Sequence, residues 1–218
     1  WSGSRITNTA PPVGPSRMTT SPPCSRSAFR AAGNPRPVPR FPFVPADPDV
    51  RVLDALPPAL PEGPRAFFYR FATHKGRIRL TGHRGWWRSF LFSLDIARAY
   101  GFERIVHVES DAFLLSRRIV DRINATVDGW TAYWCPLYGF PEPALQVIAH
   151  DRFDAMAAVA ARGLDALTES LAEFTLPFTR VEQGFAGNRY GESRGRVPGY
   201  ADYACQVNAP TIAVRYRG

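Results

Sequence analysis

Four β-favouring residues, Ile105 to Val108, run directly into two carboxylates one residue apart, Glu109 and Asp111. Patterns of a different period flank this stretch. Over 86–100, Phe90, Leu91, Leu94, Ile96 and Ala97 build a broad apolar helical face, and Gly101 stands where a helix should stop. Over 114–127, Ile119, Val120, Ile123 and Val127 recur at helical spacing. Helix, strand, acid pair, helix is an α/β order, and it predicts a sheet covered by helices. Ligands of open α/β sheets bind at the carboxyl ends of strands, where the acid pair falls. Two oxygen donors this close suit a hard divalent cation.

Other strands are expected at 65–72, an aromatic-rich run, and at 130–135, which alternates in bulk. With 104–109 these are predicted to share one central sheet. A short strand or helix fits 50–56, and 144–148 reads as a strand or the lead-in to a helix. The span 152–174 reads as a long amphipathic helix broken near Gly163 and closed by Pro177, and 211–216 as a terminal strand. Residues 136–143 read as a proline-rich aromatic loop. Upstream, the tract 35–45 carries proline at every second or third position, which excludes a regular helix or a central strand. The organisation expected is a disordered tail over 1–45 and a single domain over 46–218.

Charge and cysteines narrow the function classes. The net charge is +8, but the basic residues are scattered, and Lys75 is the one lysine among 27 Lys and Arg. Without a dense basic block, an anionic small substrate such as a nucleotide diphosphate fits better than nucleic acid. The Arg, Ala and Pro bias has the look of a GC-rich, bacterial coding sequence. Cys24, Cys135 and Cys205 are dispersed and form no zinc spacing, which fits small thiols in a reducing compartment. No apolar run is long enough to cross a membrane, and the opening residues carry no signal-peptide apolar core. The expected location is the cytoplasm, with a peripheral position at the inner membrane face as the variant.

The run Gly85-Trp-Trp-Arg-Ser-Phe-Leu-Phe-Ser-Leu-Asp-Ile-Ala-Arg-Ala-Tyr-Gly-Phe-Glu-Arg-Ile-Val-His-Val-Glu-Ser-Asp-Ala-Phe113 resembles the GT-A glycosyltransferases. That family places a helix, a glycine turn and a hydrophobic strand before its DxD motif. The resemblance covers these residues closely and 65–190 loosely. It implies a three-layer α/β/α sandwich around a mostly parallel sheet, and transfer of a sugar from a nucleotide diphosphate sugar to a hydroxyl acceptor, a glycan or a lipid-linked sugar. It implies that Asp111 ligates Mn²⁺ or Mg²⁺. Glu109, standing where the family has Asp, would contact the ribose or a metal-bound water, and Ser110 between the two acids would also contact the nucleotide sugar. The family's first nucleotide-binding strand lies well upstream of DxD, where this chain is proline-rich. The late His that many members add as a ligand has no counterpart after His150.

Around the acid pair, other residue types fit the same chemistry. Lys75, Arg84 and Arg88 lie in the basic loop and the first helical turn, where a diphosphate could be neutralised. Trp134, near the end of the strand at 130–135, and Tyr138, Phe140 and Glu142 beyond it offer aromatic faces and a carboxylate to an acceptor sugar. Glu182, in a polar glycine-flanked stretch, is the expected base for the acceptor hydroxyl, with Glu192 and Asp202 as competitors. His83 and His107 read as structural, His107 pointing away from the acids. Each of these also has a plain reading as solvated loop or core packing. Two rival classes remain. A haloacid-dehalogenase-type phosphotransferase needs an Asp at position 109 and a Thr two residues after Asp111, and this chain has neither. A nucleic-acid or polyanion-binding module would use the arginines and leave the acid pair idle.

Overall fold

The computed structural model describes residues 50–60, 66–73, 83–193 and 195–207. The stretch 1–45, Lys75 and the strand expected at 211–216 lie outside the described residues. In chain order the elements begin with β1 (Val50–Leu53), β2 (Ala66–Tyr69), α1 (Arg84–Ala99), β3 (Arg104–Val108) and β4 (Phe113–Leu114). There follow α2 (Arg117–Ala125), β5 (Trp130–Cys135), β6 (Phe140–Ala149) and a 3₁₀ turn (His150–Arg152) leading into α3 (Phe153–Ala161). The chain continues through α4 (Leu164–Leu167), α5 (Ala172–Thr175), β7 (Arg180–Glu182), β8 (Gly187–Asn188), α6 (Tyr190–Ser193) and β9 (Tyr203–Ala204).

The largest sheet has the order β3-β6-β5-β7, and it is mixed rather than mostly parallel. β6 runs antiparallel to both β3 and β5, and only β5–β7 is parallel. The cause is local. Pro136 to Gly139 turn the chain back, with Gly139 at φ +70 and its N–H on the Cys135 carbonyl, so β5 and β6 form a hairpin. A hairpin is antiparallel by construction. The loop expected at 136–143 is therefore only four residues long, and β6 takes up the rest. The strand at 66–69 does not join this sheet. It pairs in parallel with β1, and Tyr69 and Phe71 meet Phe92 of α1. β3 is thus the outer strand of its sheet among the described residues, not a central one. Val106 and Val108 are about 40% exposed, 41% and 40% respectively.

Both faces of the four-stranded sheet are covered. On one, Ile105, Trp130 and Ile148 pack with Trp87, Phe90, Leu94 and Ala97 of α1 and with Phe153, Met156 and Val159 of α3. On the other, Tyr133, Leu145 and Val147 meet Ile119 and Ile123 of α2 and Tyr203 of β9. The fold is mixed α/β in three layers. The spacing 87, 90, 94, 97 is the helical stripe, and truncating one of its buried rings to alanine would cost about 3–5 kcal/mol. At the end of α1, Phe102 N–H bonds the Ala97 carbonyl with Gly101 at φ +67, the closing geometry that favours glycine.

Helix boundaries depart from the periodicity in two places. The second helix starts at Arg117, because Ser116 caps it by accepting from Ile119 N–H at 3.4 Å. Arg104 on β3 closes its other end, donating to the carbonyls of Ile123, Asn124 and Thr126 at 3.2, 2.9 and 2.9 Å. The long helix expected at 152–174 is three short ones. Gly163 at φ +79 breaks the first from the second, and Ser170 and Leu171 separate the second from the third.

Candidate active site

The site grows from the end of β3. Glu109 N–H still bonds the Ala144 carbonyl of β6 at 2.9 Å, and the chain then turns, Ala112 N–H bonding the Glu109 carbonyl at 3.0 Å. Glu109, Ser110 and Asp111 occupy that turn, and β4 intervenes before the next helix. Glu109 Oε1 accepts from the indole Nε1 of Trp86 on α1 at 2.5 Å. His107 does not point away from the acids: being two residues back on one strand, it shares the Glu109 face, with Nε2 at 3.9 Å from Oε1. Burial would raise the Glu109 pKa, but His107 and the Trp86 N–H outweigh it and hold the carboxyl below its usual range. Asp111 is the reverse case. It is half-buried, and burial followed by the nearby Glu109 charge pushes its pKa up.

A cleft of about 240 Å³ opens beside this turn. Among the described residues, Glu109, Glu142, Glu173 and Glu192 line it with the guanidinium of Arg189, and Trp86 and Trp87 form its aromatic wall. Asp111 stands beside the lining and feels the charges of Glu109, Arg189 and Glu192. Four carboxylates with one arginine among the described residues give this lining a negative balance, which favours cations and hydroxyls.

Glu142 reaches the cleft through a break in β6. Ala132 of β5 pairs with Gln146, yet Tyr133 pairs with Glu142, so residues 143–145 bulge out of the ladder. Pro143 has no N–H to give the ladder, and Gln146 pins the bulge. Its Nε2 donates to the Pro143 carbonyl at 2.8 Å and its Oε1 accepts from Trp130 Nε1 at 2.7 Å. Glu142 is completely buried and pairs with Arg189 Nε at 2.6 Å. Burial raises its pKa in spite of that partner. Arg189 also holds Glu173 at 2.6 Å, and its guanidinium lies 5.2 Å from the Phe140 ring centre and 5.5 Å from that of Tyr138. Burial would lower the arginine's own pKa, but the two carboxylates raise it. Tyr138 is half-exposed, and its hydroxyl donates to Glu192 at 2.6 Å.

Of the residues singled out from sequence, Glu109, Glu142, Tyr138 and Glu192 come together here, with Asp111 and Ser110 on the adjoining turn. The others stand apart. Glu182 on β7 is bound by Arg122 and does not line the cleft. Arg84 pairs with Asp165 at 2.7 Å. Arg88 donates to the Thr73 carbonyl and lies 3.9 Å over the Phe71 ring. Trp134 is on β5, its carbonyl taken by Tyr203. Arg189 and Glu173 were missed. Arg189 is one residue beyond the polar stretch noted at 182–188, but nothing in local spacing pairs it with residues 16 and 47 positions away.

The segment that carries Arg189 is anchored by Asp202. This buried carboxylate accepts from Ser116 Oγ at 2.5 Å, from Ala186 N–H at 2.7 Å and from Arg118. Gly187 lets the segment lie against Tyr203, whose ring would stand 2.1 Å from a Cβ at that position. Burial would raise the Asp202 pKa, but the bonds from Ser116 and Arg118 lower it overall. A depressed carboxyl stabilises the fold above its unfolded pKa near 3.9, and that stability is lost as pH falls through the folded value. Asp202→Asn is therefore expected to cost about 1–3 kcal/mol at pH 7. Its urea midpoint should fall less steeply than wild type's below pH 4. Parallel acid slopes for the two proteins would refute this.

Among the described residues no group of three or more His, Cys, Asp or Glu is gathered closely enough to hold a metal ion. Asp111 and Glu109 are hard oxygen donors of like charge on one turn. By donor chemistry they fit a divalent cation only as a partial set, so further ligands would have to come from elsewhere. No helix is long and apolar enough to cross a membrane among the described residues. No protein-family model matches the chain, and no curated protein matches it. Among solved structures, the chain is similar to a glycosyltransferase involved in the glycosylation of the major capsid of PBCV-1, at a TM-score of 0.42 and 11% identity, over 66% of this chain and 79% of that one.

Proposed function

We propose that the chain is a metal-dependent glycosyltransferase, moving a sugar from a nucleotide diphosphate sugar to a hydroxyl acceptor. The observation that carries the reading is the turn at the end of β3. It sets two carboxylates one residue apart at the rim of an acidic, indole-walled cleft. A diphosphate would be repelled there unless a divalent cation came with it, and the strand-end pair is where such a cation, Mn²⁺ or Mg²⁺, would be held. When bound, the cation would stabilise the charge that develops on the leaving diphosphate. Trp86 fixes the Glu109 carboxylate through its N–H, and among the described residues Asp111 makes no side-chain ion pair that a cation would have to displace.

The acceptor hydroxyl must lose its proton as its oxygen attacks the anomeric carbon. Glu182 is tied to Arg122 outside the cleft. Within it, Glu142 and Glu173 are tied to Arg189, and Glu109 to Trp86. Glu192 remains, exposed and held by the Tyr138 hydroxyl, and it takes the base role in this reading. A thermal-shift panel of nucleotide diphosphates and nucleotide sugars, with and without Mn²⁺, tests the proposal. A true ligand at about 100 times its Kd should stabilise the fold by roughly 2.7 kcal/mol, and only with metal present. A panel in which no nucleotide shifts melting with Mn²⁺ would sink it.

A further inference from the structure

Beside the cleft, three aromatic rings from two distant parts of the chain meet at the surface. Tyr138 and Phe140, flanking the start of β6, lie nearly parallel with ring centres 5.2 Å apart and an interplanar angle of 6°. Phe174 of α5 meets Phe140 edge-on at 5.6 Å. Tyr138 is 49% exposed and Phe174 71%, so the shelf they form is open to solvent among the described residues. The shelf is continuous with the cleft through the residues that anchor it. Glu173, next to Phe174, and Arg189, beside both the Tyr138 and Phe140 rings, line the cleft itself. Glu192, bound to the Tyr138 hydroxyl, lines it as well.

We infer that this shelf seats a pyranose ring of a carbohydrate acceptor, with Glu192 receiving hydrogen bonds from the sugar's hydroxyls. The inference rests on the glycosyltransferase reading for the word acceptor, but the binding it describes does not. A pyranose has one apolar face of C–H groups and a rim of hydroxyls. Flat aromatic carbon meets the first, and carboxylates at the edge of the same surface meet the second. A purely apolar partner would leave the carboxylates Glu192 and Glu173 facing it. A polyanion would meet those same charges. A sugar ring satisfies both halves. Phe140 belongs to the aromatic stretch that the sequence marks, but Phe174, 34 positions on, does not, because only the packing of α5 against β6 joins the two.

Saturation-transfer NMR on the whole chain would test this, using methyl pyranosides and disaccharides of glucose, galactose, mannose and N-acetylglucosamine as probes, without metal or nucleotide. At least one probe should show transfer to the C–H groups of one ring face. Phe174→Ala should weaken that probe at least tenfold while leaving the melting temperature unchanged, since the ring is mostly exposed. Tyr138→Phe should weaken it less than Tyr138→Ala, because the ring is retained. Asp111→Asn should leave carbohydrate binding intact, which separates this inference from the donor reading. Sugar binding without any nucleotide binding would uphold the shelf and sink the transferase. Metal-dependent nucleotide binding with no probe bound would do the opposite. Self-association that Phe174→Ala abolishes, with no probe bound, would make the patch a contact between copies and overturn the inference.

Discussion

Arg189→Ala is expected to destabilise the protein by about 3–5 kcal/mol, a large part of a typical domain's stability. Its partner Glu142 is fully buried, and Glu173 is nearly so at 10% side-chain exposure. Removing the guanidinium leaves both charges in a poorly hydrated pocket without the cation that pairs them among the described residues. Hydrophobic loss is a smaller part of the cost. The pH dependence distinguishes this account from simple loss of packing. Burial already raises the Glu142 pKa with Arg189 in place, and removing that partner must raise it further. A raised carboxyl binds its proton in the folded state first, so stability grows as pH falls toward the unfolded value near 4.3 and is lost as pH rises. The variant should accordingly gain urea resistance relative to wild type between pH 7 and pH 5. Adding Glu142→Gln to Arg189→Ala should recover part of the loss at pH 7. If the single variant unfolds within about 0.5 kcal/mol of wild type, the range of an ordinary surface change, the buried network is not what holds this wall.

Asp111→Asn is expected to abolish metal-dependent binding of nucleotide diphosphates while leaving the fold intact. Outer-shell groups of metal sites are worth about 10–100-fold in affinity, and a direct carboxylate ligand at least as much. Stability should move the other way. Asp111 is half-buried beside the Glu109 charge, and both effects disfavour its ionised form. Removing that charge should leave stability unchanged or raise it by up to about 1 kcal/mol, the usual sign at a site kept for function. Glu109→Gln should weaken binding less, because the amide oxygen can still accept from Trp86. Calorimetric titration of a nucleotide diphosphate with Mn²⁺ into the three proteins measures this. Equal affinity for wild type and Asp111→Asn would remove the strand end from the site and the glycosyltransferase reading with it.

How much of this was legible beforehand depends on the range of the forces involved. The strand at 104–108, the helix on 84–99 and its glycine stop were readable because apolar periodicity and a left-handed glycine are local properties. The acid pair was readable for the same reason: a strand that runs into two carboxylates must end there. The helix over 152–174 was overread in its second half: the break at Gly163 was legible from the glycine, but one apolar stripe cannot reveal the second break before Ala172. The parallel sheet was overread too, because a loop full of prolines concealed a four-residue hairpin turn.

By itself the sequence determined a chain of alternating helices and strands, with one strand ending in Glu109 and Asp111. Only the tertiary structure decided what that end faces. The bulge in β6 turns Glu142 inward, the anchor at Asp202 brings Arg189 to it, and α5 carries Glu173 and Phe174 to the same wall. It also gave Glu182, Arg84 and Arg88 partners away from the cleft lining: Arg122, Asp165 and the Thr73 carbonyl. The physical reason is that a buried charge must find its counter-charge in space, and periodicity along the chain carries no record of which distant residue that is.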